Sequence, residues 1–128
     1  MSKRAISTQF APKAIGPYSQ AILDDPYLFI SGQLPINPAT GKIEATDVAG
    51  QTKQVLANLE AILKEAGLDF TDVVRSDVFM INLQEFQTMN GHYQEKFSHA
   101  SPPARQTIQV ARLPMDALVE ISCIARKK

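Results

Sequence analysis

The feature that most constrains the fold is a long amphipathic pattern in the middle of the chain. Between residues 46 and 66, apolar residues recur at spacings of three, four and seven, which predicts a helix with one buried face. These positions are Val48, Val55, Leu56, Leu59, Ile62, Leu63 and Ala66. Thr46 is expected to cap the start, and Gly67 to end the helix with Leu68 folding back toward Leu63. A length of 128 residues is enough for one hydrophobic core and not for two, so residues 1–128 are expected to form a single domain.

Prolines divide the first third of the chain into short extended segments. Each proline fixes its own φ angle and biases the preceding residue toward extended geometry, so residues 10–40 are expected to form short strands and turns. Residues 27–34 are rich in aromatic and aliphatic side chains and predict a strand. Residues 37–41 have the composition of a turn, and residues 5–8 fit an additional strand.

The segment after the central helix predicts a strand and a second helix. Residues 73–81 alternate as a strand, with Val74, Val78 and Met80 on one face. Residues 82–85 form a capping-box sequence before a helix expected over 83–97. Ile81 and Phe86 are placed to form a hydrophobic staple around that cap, and the expected buried stripe is Phe86, Met89, Tyr93 and Phe97, with Asn90 on the same side.

The last part of the chain predicts two strands, over 105–112 and 117–125. The turn at 113–116 is short enough to join them as a hairpin. The resulting element order predicts an α+β fold in which a mixed sheet carries both helices on one face. The opposite face then lacks a partner, and a large apolar sheet face is not exposed by a monomer, so we expect oligomerisation through it.

Composition excludes several classes of function. The 13 basic residues balance the 13 acidic ones, which removes the net charge behind most nucleic-acid binding. A single cysteine excludes an intrachain disulfide, and His92, His99 and Cys123 are too few for a closed zinc site. No apolar run is long enough for a membrane span and no signal-peptide pattern opens the chain, so a cytoplasmic protein is expected. Glycine-rich phosphate loops and the nucleophile-elbow motif are also missing from the sequence.

Two charged residues in or beside apolar strands resist a packing explanation. Arg105 opens one predicted strand, and Glu120 lies within another, opposite the apolar face that includes Cys123. They fit either a solvent-exposed charge pair or a site in which the guanidinium binds a carboxylate while the acid activates water. Tyr18 fits either a ligand-facing ring or loop packing, and Gly32 either a close ligand approach or a bulge.

Four segments in this order and spacing carry a family resemblance: 14–20, 29–35, 103–105 and 119–121. Their sequences, AIGPYSQ, FISGQLP, PAR and VEI, resemble the RidA/YjgF family of reactive-intermediate deaminases, and the similarity extends from about residue 3 to residue 126. The resemblance implies a chorismate-mutase-like α+β fold and a homotrimer with sites between subunits. It also implies hydrolysis of enamine and imine products of pyridoxal-phosphate enzymes, such as 2-aminoacrylate and the 2-iminopropanoate and 2-iminobutanoate class, without a cofactor or metal.

The resemblance also implies roles for individual residues. Arg105 matches the arginine that binds the substrate carboxylate, and Glu120 the acid that orients the hydrolytic water. The positions that line the cleft match Tyr18, Ser31, Gly32 and Thr107, and Asn90 is expected to face the cleft from a neighbouring chain.

The chain departs from the family pattern beside this arginine. Many relatives have a cysteine where this chain has Thr107, which excludes thiol chemistry at that position. Pro102 and Gln106 also differ from the usual residues, and both are expected to reshape the pocket.

The sequence leaves alternatives to the deaminase hypothesis. A regulatory protein could use Arg105 to bind a small carboxylate without turnover. Ribonuclease or translation-inhibitor activity is weaker, because the histidines have no plausible pairing and the only basic cluster is the terminal 126–128 segment. A chaperone role through exposed apolar surface is a third alternative.

Overall fold

The computed structural model describes residues 3–128, which form a mixed α+β fold. In that range the strands are β1 Arg4–Ile6, β2 Ala21–Asp24, β3 Tyr27–Gln33, β4 Ile36–Asn37, β5 Lys42–Ile43, β6 Val73–Met80, β7 Ala104–Gln109 and β8 Val119–Arg126. The α-helices are α1 Val48–Glu65 and α2 Phe86–Lys96, and short 3-10 helices span Phe70–Asp72, Leu83–Glu85 and Pro114–Asp116. Six strands form one sheet in the order β1-β2-β3-β8-β6-β7, while β4 and β5 pair separately. Strand β6 runs antiparallel to β8 and parallel to β7, so the sheet is mixed.

The central helix α1 forms as its periodicity predicts, with a different first cap. Asp47 is the N-cap residue, because its Oδ1 accepts a hydrogen bond from the Gly50 backbone N–H at 2.9 Å, and the prediction of Thr46 is wrong by one residue. The C-terminal end is confirmed: Gly67 has φ +77°, and the Leu68 N–H donates to the Leu63 carbonyl at 2.9 Å.

The corrected cap gives a matched pair of stability variants. We expect Asp47→Ala to lower the free energy of unfolding by about 1 kcal/mol, since it leaves a helix N–H without an acceptor. Thr46→Ala serves as the control and should have a clearly smaller effect. Urea unfolding followed by circular dichroism measures both, and equal losses for the two variants would contradict the assignment of Asp47 as the cap.

The predicted hairpin of the last two strands is wrong, because β6 lies between them. The unit β6-α2-β7 returns the chain parallel to β6 on one side, and β8 then pairs antiparallel with β6 on the other. The loop 110–118 crosses the end of β6, where Val110 N–H donates to the Met80 carbonyl at 2.8 Å and Ile81 N–H to the Leu118 carbonyl at 3.3 Å. The backbone of this loop is left-handed at both Met115 and Asp116.

The second helix begins as a 3-10 turn and continues as α2. Asn82 caps the turn, since its Oδ1 accepts from the Gln84 N–H at 3.0 Å. The reciprocal bond from Glu85 that would complete the capping box is not formed within the described part of the chain. The predicted stripe is confirmed in its buried members Met89, Tyr93 and Phe97.

The two helices cover one face of the six-stranded sheet and leave the other open. The covered face is fully buried along β6 and β8, and its residues include Val78, Met80, Val119, Ile121 and Cys123. The open face exposes large apolar side chains, among them Phe29 and Ile108 at 45% and 39% exposure. A bulge opposite β8 turns Val74 outward, so its predicted place beside Val78 and Met80 is wrong. None of the helices within 3–128 is long and apolar enough to cross a membrane.

Candidate active site

The predicted site residues separate onto opposite faces of the sheet. Arg105 on β7 lies opposite Ser76 of β6, whose side chain is buried against the helices. Glu120 on β8 lies opposite Phe79, whose neighbours Val78 and Met80 both point to the helices. Since paired residues share a face and neighbours along a strand alternate, Arg105 is on the helix side and Glu120 is on the open side.

Helix α2 holds the Arg105 side chain. The Arg105 Nη1 donates to Asn90 Oδ1 at 2.6 Å. Its Cζ lies 4.7 Å from the centroid of the Tyr93 ring and 5.4 Å from that of Phe86. A guanidinium stacked on aromatic faces keeps several N–H donors in one plane, which suits a planar carboxylate.

Asn90 therefore lies beside Arg105 of its own chain. That it faces a cleft shared with a neighbouring chain stays a prediction. The β6-α2-β7 unit sets α2 beside β7, which brings the two side chains together. Phe86 and Tyr93 were predicted only as core residues. The sequence did contain a signal for their role. Phe86 lies four residues before Asn90 and Tyr93 three residues after it, a spacing that places the three side chains on one side of α2.

Tyr93 is anchored beneath the guanidinium. Its hydroxyl shares a 2.5 Å hydrogen bond with Ser76 Oγ, and its ring stacks on Phe97 at 4.3 Å between centroids. Burial raises the pKa of Tyr93, so the phenol stays neutral and contributes a ring face without a competing charge.

A cleft of about 370 Å³ opens beside Arg105 and is walled by Gln94, Pro102 and Pro103. Thr107 lies on the same side of β7, opposite the buried Val78. Its Oγ1 is buried and has no hydrogen-bond partner among residues 3–128.

The Asn90 contact is testable by substitution. We expect Asn90→Ala to weaken binding of a small carboxylate about tenfold, because hydrogen bonds to charged groups contribute about 1.5–3 kcal/mol and this one orients the guanidinium. Calorimetric titration with 2-ketobutyrate measures the change. Gln94→Ala, in the wall of the same cleft without a contact to the guanidinium, is the control; equal losses in both variants would show that Asn90 does not act through Arg105.

The second group of predicted residues lies on the open face around Glu120. A β-bulge in β3 between Ile30 and Gln33 carries Ser31 and Gly32. A β-carbon at Gly32 would overlap Glu120 Oε2, so the carboxylate lies directly against the Gly32 backbone. The bulge at Gly32 is confirmed, and the group that lies against its backbone in this structure is the Glu120 side chain. A close approach by a ligand stays a prediction.

Glu120 is half-buried and has neither a side-chain hydrogen bond nor an ion pair within 3–128. Burial raises its pKa above the ordinary range for a glutamate. A carboxylate with a raised pKa and free oxygens has the properties of a general base.

Ser31 and Tyr18 lie on the same side as Glu120. Ser31 Oγ donates to the Ser19 carbonyl at 2.6 Å, and the two residues share a cleft with Tyr18 and the open-face residue Phe29. Tyr18 is 54% exposed, so its ring is not simply packed into the loop. Tyr18, Ser31 and Gly32 thus lie on the side of the acid, and Asn90 and Thr107 lie on the side of the arginine.

The remaining candidates carry no chemistry in this structure. Among residues 3–128, the His92 side chain forms a hydrogen bond only with Glu95, at 3.4 Å. Burial raises the pKa of the Cys123 thiol to about 12, in agreement with a packing role. No cluster of three or more metal-ligating side chains occurs in the described range.

Comparison with known proteins agrees with the motifs and the fold. The family model described as endoribonuclease L-PSP matches residues 8–127. A RutC family protein of Pyrococcus abyssi is 48% identical over 128 residues, covering 100% of both chains. A 2-iminobutanoate/2-iminopropanoate deaminase of Bos taurus is 48% identical and covers 96% of this chain and 89% of its own.

A crystal structure of E. coli TdcF with bound serine superposes with a TM-score of 0.93 at 42% identity, covering 98% of this chain and 99% of that one. The matched model and the relatives extend over nearly the whole chain and include both groups of site residues. The chain belongs to the RidA/YjgF family.

Proposed function

We propose that this protein hydrolyses small 2-imino and 2-enamino acids, such as 2-aminoacrylate and its imine tautomer, to 2-keto acids and ammonia. The observation that carries the proposal is the pairing of an oriented guanidinium, Arg105, with an acid of raised pKa, Glu120. The naming of a 48% identical relative as an imine deaminase supports the same reaction.

The chemistry demands only these two groups. Arg105 binds the substrate carboxylate and so fixes the adjacent imine carbon, which is already electrophilic. Glu120 accepts a proton from water as the water oxygen bonds to that carbon, and it returns a proton to the nitrogen. In the resulting carbinolamine, Glu120 accepts the hydroxyl proton and passes it to the nitrogen in the same way. The carbon–nitrogen bond then breaks with its electron pair going to nitrogen, ammonia leaves, and the carbonyl group of a 2-keto acid remains. The residues supply orientation and proton transfer, and no covalent intermediate with the enzyme is required.

The two groups cannot act on one substrate within a single chain. Arg105 and Glu120 lie on opposite faces of the sheet and two strands apart, a lateral separation of about 10 Å. We therefore propose a homotrimer in which the Arg105 side of one chain meets the Glu120 side of the next. The uncovered apolar face with Phe29 and Ile108 supports such an assembly, because burying it removes apolar surface from water.

The direct test is turnover of 2-aminoacrylate generated in situ by a serine or threonine dehydratase. The imine hydrolyses slowly in buffer, so the protein should accelerate formation of pyruvate. An absence of acceleration over buffer by the correctly folded wild-type protein would sink the proposal.

A regulatory carboxylate-binding protein is the second candidate, and the serine-bound structure of TdcF favours it. Such a protein would use the same Arg105 cleft without turnover. Binding of 2-ketobutyrate by calorimetry together with absent pyruvate formation would identify this function instead.

The ribonuclease description of the family model finds less support in this chain. The basic segment at the C-terminus is engaged internally: Lys127 pairs with Asp25 at 3.0 Å, and Lys128 with Asp72 at 2.6 Å. Arg126 lies over the Tyr27 ring at 6.0 Å, so these charges do not form an open nucleic-acid surface.

A further inference from the structure

We infer that Gly32 is a positioning residue whose missing side chain creates the space in which the Glu120 carboxylate rests. This inference rests on the proposed function, since it assigns Gly32 a role in the reaction of Glu120. A residue that lines the cleft contacts the substrate directly, whereas Gly32 would act by positioning Glu120.

The bulge in β3 creates the approach. Ile30 pairs with Cys123 and Gln33 with Ile121, so three steps along β3 are matched by two steps along β8. The extra residue pushes the Ser31–Gly32 backbone toward the open face, beside the strand position that carries Glu120. Gln33 nevertheless returns to the buried side, so the strand resumes its register after the bulge.

The three atoms nearest to a β-carbon built at Gly32 all belong to the Glu120 side chain. A β-carbon there would overlap Glu120 Oε2 and would lie 2.9 Å from Cδ and 3.3 Å from Cγ. The flat carboxylate thus lies across the glycine backbone. Within residues 3–128 the carboxylate has no hydrogen bond and no ion pair, so the contact with the Gly32 backbone is not replaced by a polar partner.

Backbone conformation does not explain why residue 32 is a glycine. The glycines with positive φ are Gly16, Gly41 and Gly67, and Gly32 is not among them. An alanine could therefore adopt the backbone angles of residue 32, and the Glu120 side chain is the group it would displace. The burial that raises the pKa of Glu120 would decrease as the carboxylate moved outward.

The test is Gly32→Ala in two backgrounds. In the wild-type background we expect kcat to fall about 100-fold, as for a catalytic group displaced by about 1 Å, with KM changed little. In the Glu120→Ala background the same substitution should cause no further loss of activity. Gly91→Ala on the surface of α2 is the matched control, because its β-carbon meets no atom within 4 Å, and it should retain wild-type kcat.

Two measurements do not depend on turnover and so separate this inference from the proposed function. The pKa of Glu120, followed by the ¹³Cδ chemical shift, should be lower in Gly32→Ala than in the wild type. The melting temperature should fall in Gly32→Ala and recover in the double variant Gly32→Ala/Glu120→Ala. If wild-type protein fails to hydrolyse imines, the proposed function fails while these two results still stand.

The inference is overturned if Gly32→Ala leaves the Glu120 pKa and kcat at wild-type values. It is equally overturned if the loss of stability persists without the Glu120 carboxylate, because Gly32 would then serve the backbone alone. If Gly32→Ala does not fold, recovery of folding in the double variant supports the inference and failure to recover contradicts it.

Discussion

Arg105→Ala is expected to lower kcat/KM for 2-aminoacrylate hydrolysis by about 100- to 1,000-fold, since truncating one member of a charge-assisted, desolvated pair costs about 3–4 kcal/mol. The substitution removes the carboxylate anchor and leaves the Asn90 amide and the Tyr93 ring without their partner. Arg105→Lys should recover only a small part of the activity, because an ammonium group cannot make the planar two-point contact of a guanidinium.

Initial-rate kinetics measures the effect, with purified variant protein that has the same assembly state as the wild type. Arg112→Ala is the matched control: Arg112 is strongly exposed and, within the described range, forms an ion pair only with Asp116, so its loss should leave the rate unchanged. Wild-type kinetics in Arg105→Ala would show that the carboxylate is bound elsewhere.

Glu120→Gln is expected to lower kcat by about 100- to 10,000-fold, the usual contribution of a positioned general base. Glutamine keeps the shape of the side chain over Gly32 but does not accept a proton. Glu95→Gln, on the exposed surface of α2, is the control and should retain wild-type turnover.

The raised pKa of Glu120 fixes the direction of two pH effects. A base must be deprotonated, so wild-type kcat should fall as the pH drops through the raised pKa, and Glu120→Gln should lack this acid limb. A carboxyl whose pKa is higher in the folded state than in the unfolded state loses stability as the pH rises through that window. Glu120→Gln should therefore have a higher melting temperature than wild type at neutral pH; an unchanged acid limb in the variant would remove Glu120 from the base role.

Local features of the fold followed from local sequence rules. The periodicity of α1 and the Gly67 terminus predicted its position closely, because the residues that form the buried stripe and the final turn are near neighbours. The stripe of α2 was predicted for the same reason, and it already contained Phe86 and Tyr93, which hold Arg105.

The pairing of strands that are distant in the sequence could not be predicted from local sequence rules. The pattern of β7 and β8 fits a hairpin and a pair separated by β6 equally well, because strand alternation does not encode the neighbouring strand. This error concealed the main property of the site: only the parallel pairing of β7 with β6 places Arg105 on the helix side, opposite to Glu120. The contact between Gly32 and Glu120 was equally hidden, since it depends on the bulge and on the register between β3 and β8.

The central claim, that each active site combines two chains, is tested most directly by mixing inactive variants. Arg105→Ala and Glu120→Ala chains carry intact Glu120 and Arg105 surfaces respectively, so co-assembly can rebuild a complete site at the contact between them. In a cyclic trimer assembled at random from equal amounts, about a quarter of the contacts should pair the two intact surfaces, and about a quarter of wild-type activity should return.

The control mixes Arg105→Ala with the double variant Arg105→Ala/Glu120→Ala, which contains no intact Arg105 and should stay inactive. Size-exclusion chromatography with light scattering verifies the assembly state of every mixture. Recovery of activity only in the complementary mixture is the result that the shared-site account predicts. Co-assembled complexes of the complementary pair that remain as inactive as their parents, beside an active wild type, would contradict it.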